Sequence, residues 1–483
     1  MSERKRLHPI SAVANTLKQI KEMILPFVLL FVVGRNGDGD RYWFYIVAAM
    51  SIIFPLISGI LTWMRYTYRI EEGELRIESG IFVKKKRYIP FERIQSLDFS
   101  EGVLQRMFGL VKVKVETAGS TSLGEAEAVL TAITKEEARA IQETLSLVKN
   151  GKDAMRTRDE EVPEERASLY HITPSQLVLL ATTSGGAGVI LSAIVAFIFQ
   201  FDELIPYKKV YNEFQHFIAN GIVFVSLAAL LVFLVAWILA FISTLLKYAN
   251  FTVQKVEGDL IISRGLLEKR QITIPINRIQ GIRISENLIR QPLRLATVYV
   301  ESAGGSIDKE SKSTIMVLPI VKKRKIPELL HSILPDYDLH PEVVSVPKRA
   351  WRRYMFRGLL FPILLVLGAV IFFRPWGWLS LLLIPLTAVW AHWKYKDAGW
   401  SVNDVQLTLT YRGIIKNTVM MKRNKIQTLS IQKNYFQKRQ GLATVQATII
   451  SGIGGSGGTV NDLEAIAGMK IYHWYSRHQD NII

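Results

Sequence analysis

The chain has 483 residues, of which 49% are hydrophobic and 21% charged, and it carries a formal net charge of +18. It has no cysteine, which excludes disulfides and thiolate metal sites. That length allows several domains, and the basic balance favours anionic partners such as lipid headgroups.

The N-terminal residues Met1 to Arg6 are basic and lead into a polar stretch, not into the compact apolar core of a cleavable signal peptide. An apolar pair follows at about 22–33 and 43–63, and two further pairs occupy 177–199 with 221–246 and 358–373 with 376–393. A bilayer core of about 30 Å needs some 20 mainly apolar residues per helix, so each pair is expected to form a transmembrane hairpin. The run at 22–33 is short, and its helix extends backward through Ser11 to Lys21.

After the first pair the pattern changes to strand. Residues 66–77 partly alternate and turn at Glu72-Gly73, and residues 82–89 continue the strand. Val111, Val113 and Val115 alternate with Lys112 and Lys114 ahead of Gly119. Thr134 and Glu137 have capping-box spacing and predict a helix over 138–147. This body recurs. Gln95 to Val113, Gln280 to Val298 and Gln427 to Val445 align without a gap, and helices are expected at the matching places, 326–334 and 465–475. The copies are too far apart for a solenoid, so each is expected to have its own core.

The expected fold is therefore an α+β membrane protein, in which three helical hairpins alternate with three antiparallel β domains, each closed by a C-terminal helix. The divisions are 1–65 (N-terminal segment and first hairpin), 66–149 (first domain), 150–176 (charged linker), 177–246 (second hairpin), 247–336 (second domain), 337–357 (basic linker), 358–393 (third hairpin) and 394–483 (third domain). Lys and Arg collect before the hairpins, at Arg4, Lys5, Arg6, Lys18 and Lys21 and again at Lys348, Arg349, Arg352, Arg353 and Arg357. The loops inside the hairpins are poorer in net positive charge, with Arg35 and Arg41 offset by Asp38 and Asp40, and Lys208 and Lys209 by Asp202, Glu203 and Glu213. This bias predicts that the domains and both termini are cytoplasmic.

Several constellations invite a functional reading. Arg93-Ile94-Gln95, Arg278-Ile279-Gln280 and Lys425-Ile426-Gln427 form the repeat signature. The isoleucines suit a core, and the cations suit either a shared ligand surface or ties between strands. Lys84, Lys85, Lys86 and Arg87 grip headgroup phosphates or form a solvated strand edge, with alternate residues on opposite faces. Lys348, Arg349, Arg352 and Arg353 are placed either for lipid contact or for topology alone. Ser184, Gly188, Ser192 and Ala196 recur every four residues, a small-residue face on which helices pack closely.

Other patterns carry less. Gly452, Gly454 and Gly457 match a phosphate-loop pattern but fall at a hairpin turn, and no Lys-Ser/Thr follows. The eight histidines lack ligand spacing, so no metal or cofactor is expected. Aromatics interleaved with a basic surface are not evident, which argues against nucleic acid.

Together, the Gly-led strand, the Arg/Lys-Ile-Gln element, the Leu-Ala-Thr-Val strand (Gly-Leu in the first copy) and the Ala-Gly turn resemble the bacterial pleckstrin-homology-like membrane proteins of the YdbS/YdbT type. The triple layout is similar to the larger, YdbT-like member. The resemblance implies membrane anchoring, no catalytic residues and pairing with a smaller one-module relative. The expected function is a non-enzymatic membrane scaffold whose domains bind one another, anionic lipid, a related subunit or a second copy, with envelope stress tolerance as a role. The alternative is a six-span transporter or channel. It is disfavoured by the lack of Asp, Glu or Lys well inside the apolar runs.

Overall fold

A computed structural model describes residues 4–35, 41–81, 83–117, 127–150, 168–186, 188–192, 222–256, 258–302, 314–373, 376–451 and 455–476. In chain order, the first module contains β1 (Lys5–Arg6), α1 (Ile10–Arg35), α2 (Arg41–Arg65), β2 (Thr67–Glu71), β3 (Glu74–Ser79), β4 (Lys85–Pro90), β5 (Ile94–Glu101), α3 (Val103–Met107), β6 (Leu110–Thr117), β7 (Ala128–Thr134) and α4 (Lys135–Asn150). The second contains β8 (Ser168–His171), α5 (Pro174–Thr182), α6 (Ile222–Tyr248), β9 (Thr252–Val256), β10 (Asp259–Arg264), β11 (Lys269–Pro275), β12 (Ile279–Glu286), β13 (Leu295–Ser302), β14 (Thr314–Lys322) and α7 (Ile326–His331). The third contains β15 (Val344–Ser345), α8 (Ala350–Phe372), α9 (Leu383–Lys396), β16 (Gly399–Val402), β17 (Gln406–Arg412), β18 (Lys416–Lys422), β19 (Ile426–Gln432), α10 (Tyr435–Arg439), β20 (Leu442–Ile449), β21 (Ser456–Glu464) and α11 (Ala465–Tyr475).

Local chemistry sets the elements. Glu72 and Gly73 both adopt positive φ, which makes the tight turn that carries β2 into antiparallel β3. Val111, Val113 and Val115 of β6 are buried, as their alternation predicts. The amide of Glu137 donates to Thr134 Oγ1 and the amide of Thr134 to Glu137 Oε2, each at 3.2 Å, so the predicted capping box opens α4. Its counterpart α7 is much shorter, at 6 residues.

Each module has its own core, centred on Phe91, Ile94 and Ile141 in the first, Phe251, Ile282 and Leu318 in the second, and Leu407, Val445 and Ile471 in the third. The sheets do not respect these divisions. Strands β1 to β4 form one sheet, and β19 to β21 another. Between them lie two 7-stranded sheets, in which β5 pairs with β11 and β12 with β18. The second half of each of the first two modules is thus hydrogen-bonded to the first half of the next, in one antiparallel ladder.

The module boundaries differ from those the sequence suggests. The segment before each helix pair is already part of the module's sheet: β1 pairs with β2, β8 with β9 and β15 with β16. Each helical excursion is therefore inserted between the first two strands of a module, and stretches 150–176 and 337–357 are not simply linkers. Ladder hydrogen bonds between the flanking strands bring the two ends of each excursion together.

The helices pack as three pairs, α1 with α2, α5 with α6 and α8 with α9. Among the described residues, Ala229–Tyr248 and Ala350–Phe372 are long and apolar enough to cross a membrane, with mean hydropathies of 2.7 and 2.3. Only 11% and 6% of those apolar windows are buried in the protein, which distinguishes them from helices of a soluble core. The first arm of the middle pair is not one continuous helix, because α5 ends at Thr182 and a break precedes helical residues 188–192. Residues 193–221, with the loop charges from Asp202 to Glu213, lie outside the described residues, as do Asp38, Asp40, Arg374 and Pro375.

Candidate functional site

The repeat signature does the same structural work three times. Arg93, Arg278 and Lys425 each end a one-turn 3-10 helix. Ile94, Ile279 and Ile426 then enter the cores. The strand register shifts between Ile94 and Ser96, Ile279 and Gly281, and Ile426 and Thr428, so Gln95, Gln280 and Gln427 are the extra residues of three equivalent bulges. Lys425 Nζ donates to the backbone carbonyl of Asn277 in the preceding module at 3.2 Å, a tie across modules.

The two joints share a register. Lys269 stands opposite Glu101 in one, and Lys416 opposite Glu286 in the other, at aligned positions. Their side chains pair elsewhere, Glu101 with Lys135 at 3.0 Å, Glu286 with Lys323 at 2.9 Å and Lys416 with Asp397 at 2.8 Å, so the backbone ladder itself holds the register. The second joint has a buried polar network as well. Arg283 donates to Glu301 Oε1 at 2.8 Å, to Tyr411 Oη of the next module at 2.9 Å and to Ser456 Oγ at 2.5 Å. Ser451 Oγ donates to the other Glu301 oxygen at 3.2 Å. Burial opposes the charge on Arg283, but Glu301 and Tyr411 outweigh it and raise the pKa. Gly281 leaves room where a Cβ would lie 2.8 Å from Ile449 of the third module.

Two strand edges lack these partners. Strand β4, equivalent to β11 and β18, pairs only with β3 among the described residues, and β19, equivalent to β5 and β12, pairs only with β20. Lys84, Lys85, Lys86 and Arg87 are all exposed, the last three within β4. Lys84 forms a 2.7 Å ion pair with Glu78, and Arg87 reaches the carbonyl of Glu127.

The other basic cluster divides. Lys348 and Arg352 are exposed, while Arg349 pairs with Glu464 at 3.3 Å. Arg353 and Arg357, one helical turn apart on α8, both bind Asp462, which is fully buried. Gln437 adds a 2.8 Å bond to the same carboxylate. This carboxylate locks the third helix pair to its domain. The sequence gives only one hint of it, the i,i+4 spacing of the two arginines.

Of the small-residue face, Ser184 meets Thr244 of α6 at 3.2 Å. Gly188 faces open space, Ser192 is exposed and bonds its own helix, and Ala196 lies outside the described residues. The close approaches are made by other glycines. A Cβ on Gly186 would lie 3.2 Å from that of Ala240, and one on Gly358 2.6 Å from that of Ala391, while one on Gly59 would collide with Thr16. Gly452 and Gly454 lie outside the described residues, and Gly457 belongs to β21. No group of residues with metal-ligand geometry occurs among the described residues.

Three β modules with closing helices, strung on apolar helix pairs, define a membrane protein with repeated PH-like domains. The chain belongs to the bacterial PH domain family, which matches it at residues 22–149, 215–334 and 361–479. It is 37% identical to the UPF0699 transmembrane protein YdbT of Bacillus subtilis (strain 168), over 99% of each chain. It is also 32% identical to the transmembrane protein YdbS of the same organism, over 26% of this chain and 83% of that protein. No solved structure matches the chain.

Proposed function

We propose that the protein is a non-enzymatic membrane scaffold, a rigid row of three cytoplasmic PH-like domains that binds a smaller related subunit through the free edge of β4. The observation that carries the reading is the pair of internal joints, where an edge of the β4 type is taken by a strand of the β5 type in the same register. Strand addition of this kind supplies a whole ladder of backbone hydrogen bonds. Lys84 aligns with Lys269 and Lys416, so the partner strand carries an acid at its end, as β5 and β12 do in Glu101 and Glu286. A second copy is a poorer occupant: after the end of its own free β19 comes Lys433, which would face Lys84. The relative YdbS, similar to about a quarter of this chain, indicates that short proteins of this kind exist.

All six helices of the three pairs cross the membrane in this reading, because the adjacent strands at the base of each pair send and receive the chain on one side. The domains then share one compartment, and the basic flanks make it the cytoplasm. At the second joint Arg283 is paired with Glu301 and with Tyr411 of the next module, which suits a structural role better than catalysis. Anionic lipid is the second partner, and tolerance of membrane-active peptides is the cellular role to test by deletion.

The deciding experiment is purification of the full chain from its native membranes in mild detergent. A smaller PH-like subunit is expected to co-elute, and Lys84→Glu is expected to lower its recovery about tenfold by opposing the partner's acid. Recovery of the chain alone, with substrate-dependent flux in vesicles, would replace the scaffold with a transporter.

A further inference from the structure

A cavity of roughly 460 Å³ lies where α6 meets the second module, and Arg290 lines it. This arginine is only 7% exposed. Its Nε donates to Thr183 Oγ1 at 2.8 Å, one Nη to Thr297 Oγ1 at 2.5 Å and the other to the Leu180 carbonyl at 3.4 Å. Every one of these acceptors is neutral, and among the described residues no carboxylate is within ion-pair distance. A guanidinium cannot shed its proton to escape burial, so a buried one calls for an anion. Burial lowers its pKa, with only Tyr299 and Tyr248 acting in the other direction.

The charge is an addition to the fold. The aligned position is Gln105 in the first module and Gln437 in the third. In the third module Asp462 accepts from that glutamine, whereas the strand pairing puts Ile320 at the aspartate's place in the second. The second module thus gains a cation where the third keeps an acid. Lys247, in the last turn of α6, also lines the cavity and forms no ion pair among the described residues. Val189, Ile190 and Met316 supply apolar wall.

Two cations at the end of an apolar helix, with an apolar wall beside them, match a group that is anionic at one end. We propose that this cavity binds a phosphate group, presented by an anionic phospholipid or free in solution, with Arg290 and Lys247 as its charged ligands. The inference rests on the reading of α6 as a membrane span, which puts its last turn at headgroup level. It does not depend on the related subunit.

The test uses the full-length protein in neutral detergent and in nanodiscs. Phosphatidylglycerol retained through purification is read by native mass spectrometry, with phosphatidylcholine as the neutral control, and inorganic phosphate is titrated calorimetrically. Arg290→Gln, which installs the residue of the other modules, is expected to weaken phosphatidylglycerol or phosphate binding at least tenfold. Gly185→Leu projects into open space at the cavity and blocks it without touching the Arg290 contacts, so it decides the matter if the arginine variant is unstable. Retention of phosphatidylglycerol but not phosphate identifies a lipid site, and binding of phosphate alone identifies a soluble anion. Equal anion binding by wild type and both variants, or none by wild type, overturns the proposal. Subunit co-elution, scored on the same samples, separates failure of this site from failure of the scaffold.

Discussion

Asp462 shows how much one side chain contributes to joining membrane and domain. It sits at positive φ, within the register shift between β20 and β21, and receives two arginines from α8. Arg353→Ala leaves its buried carboxylate underpaired and is expected to cost about 3 kcal/mol. Arg357 is 42% exposed, so Arg357→Gln should cost about 1 kcal/mol or less. Thermal unfolding in detergent would check both, and equal effects would refute the ranking. Glu116 is the opposite case, a buried carboxyl whose pKa is raised by burial, with the Ser96 hydrogen bond and Lys114 acting against the shift. Its native pKa lies above the ordinary 4.5, so the folded state binds the proton more tightly. Stability then declines as pH rises above 4.5 and through the native value. Glu116→Gln should therefore raise Tm relative to wild type at pH 7.5 and lose that advantage at pH 4. The repeated isoleucines were legible in the sequence as core residues. The bulges and Asp462 were not, since a register shift or a positive φ at an aspartate leaves no periodic trace.

At the scale of elements, the apolar runs announced the helix pairs, and alternation announced β6. The sequence concealed where each pair is inserted. Strands β1 and β15 have 2 residues each, too short for any period to show, yet with β8 they put the helices inside the sheets. Within the chain, the close approach on the first arm of the middle pair is made by Gly186 and not by Gly188 of the four-residue spacing. The break after Thr182 rotates the face, so that Gly186 reaches Ala240 while Gly188 looks outward. The third pair gives the cleaner test, because Gly358 leaves no room beside Ala391. Gly358→Val is expected to force α8 from α9 at a cost of about 1–3 kcal/mol, whereas Gly188→Val, into open space, should change stability little. A melting-temperature comparison that reversed this order would show that the crossing is misplaced.

At the scale of the whole molecule, the decisive contacts are those between modules, and nothing in one module's alternation reveals that its edge is taken by the next. Lys269 with Glu101 and Lys416 with Glu286 were in plain view, but as unconnected charges, because opposition across a ladder exists only once the strands are aligned. The consequence of the shared ladders is rigidity. With two shared ladders and the Arg283 network across the second, the three bodies should move as one and not as beads on linkers. The absence of cysteine makes this directly measurable, since introduced thiols have no background. Glu92, Asn277 and Asn424 occupy matching exposed turns, and a cysteine at each can carry a spin label. Electron–electron distance measurements on the 92/277 and 277/424 pairs should give narrow distributions that are unchanged between detergent and nanodiscs. The same thiols should react with a membrane-impermeant reagent in inside-out vesicles and stay protected in intact cells. Broad distributions would dissolve the shared ladders, and a thiol that reacts from outside would put its domain across the membrane from the others, leaving no common face for one scaffold to present.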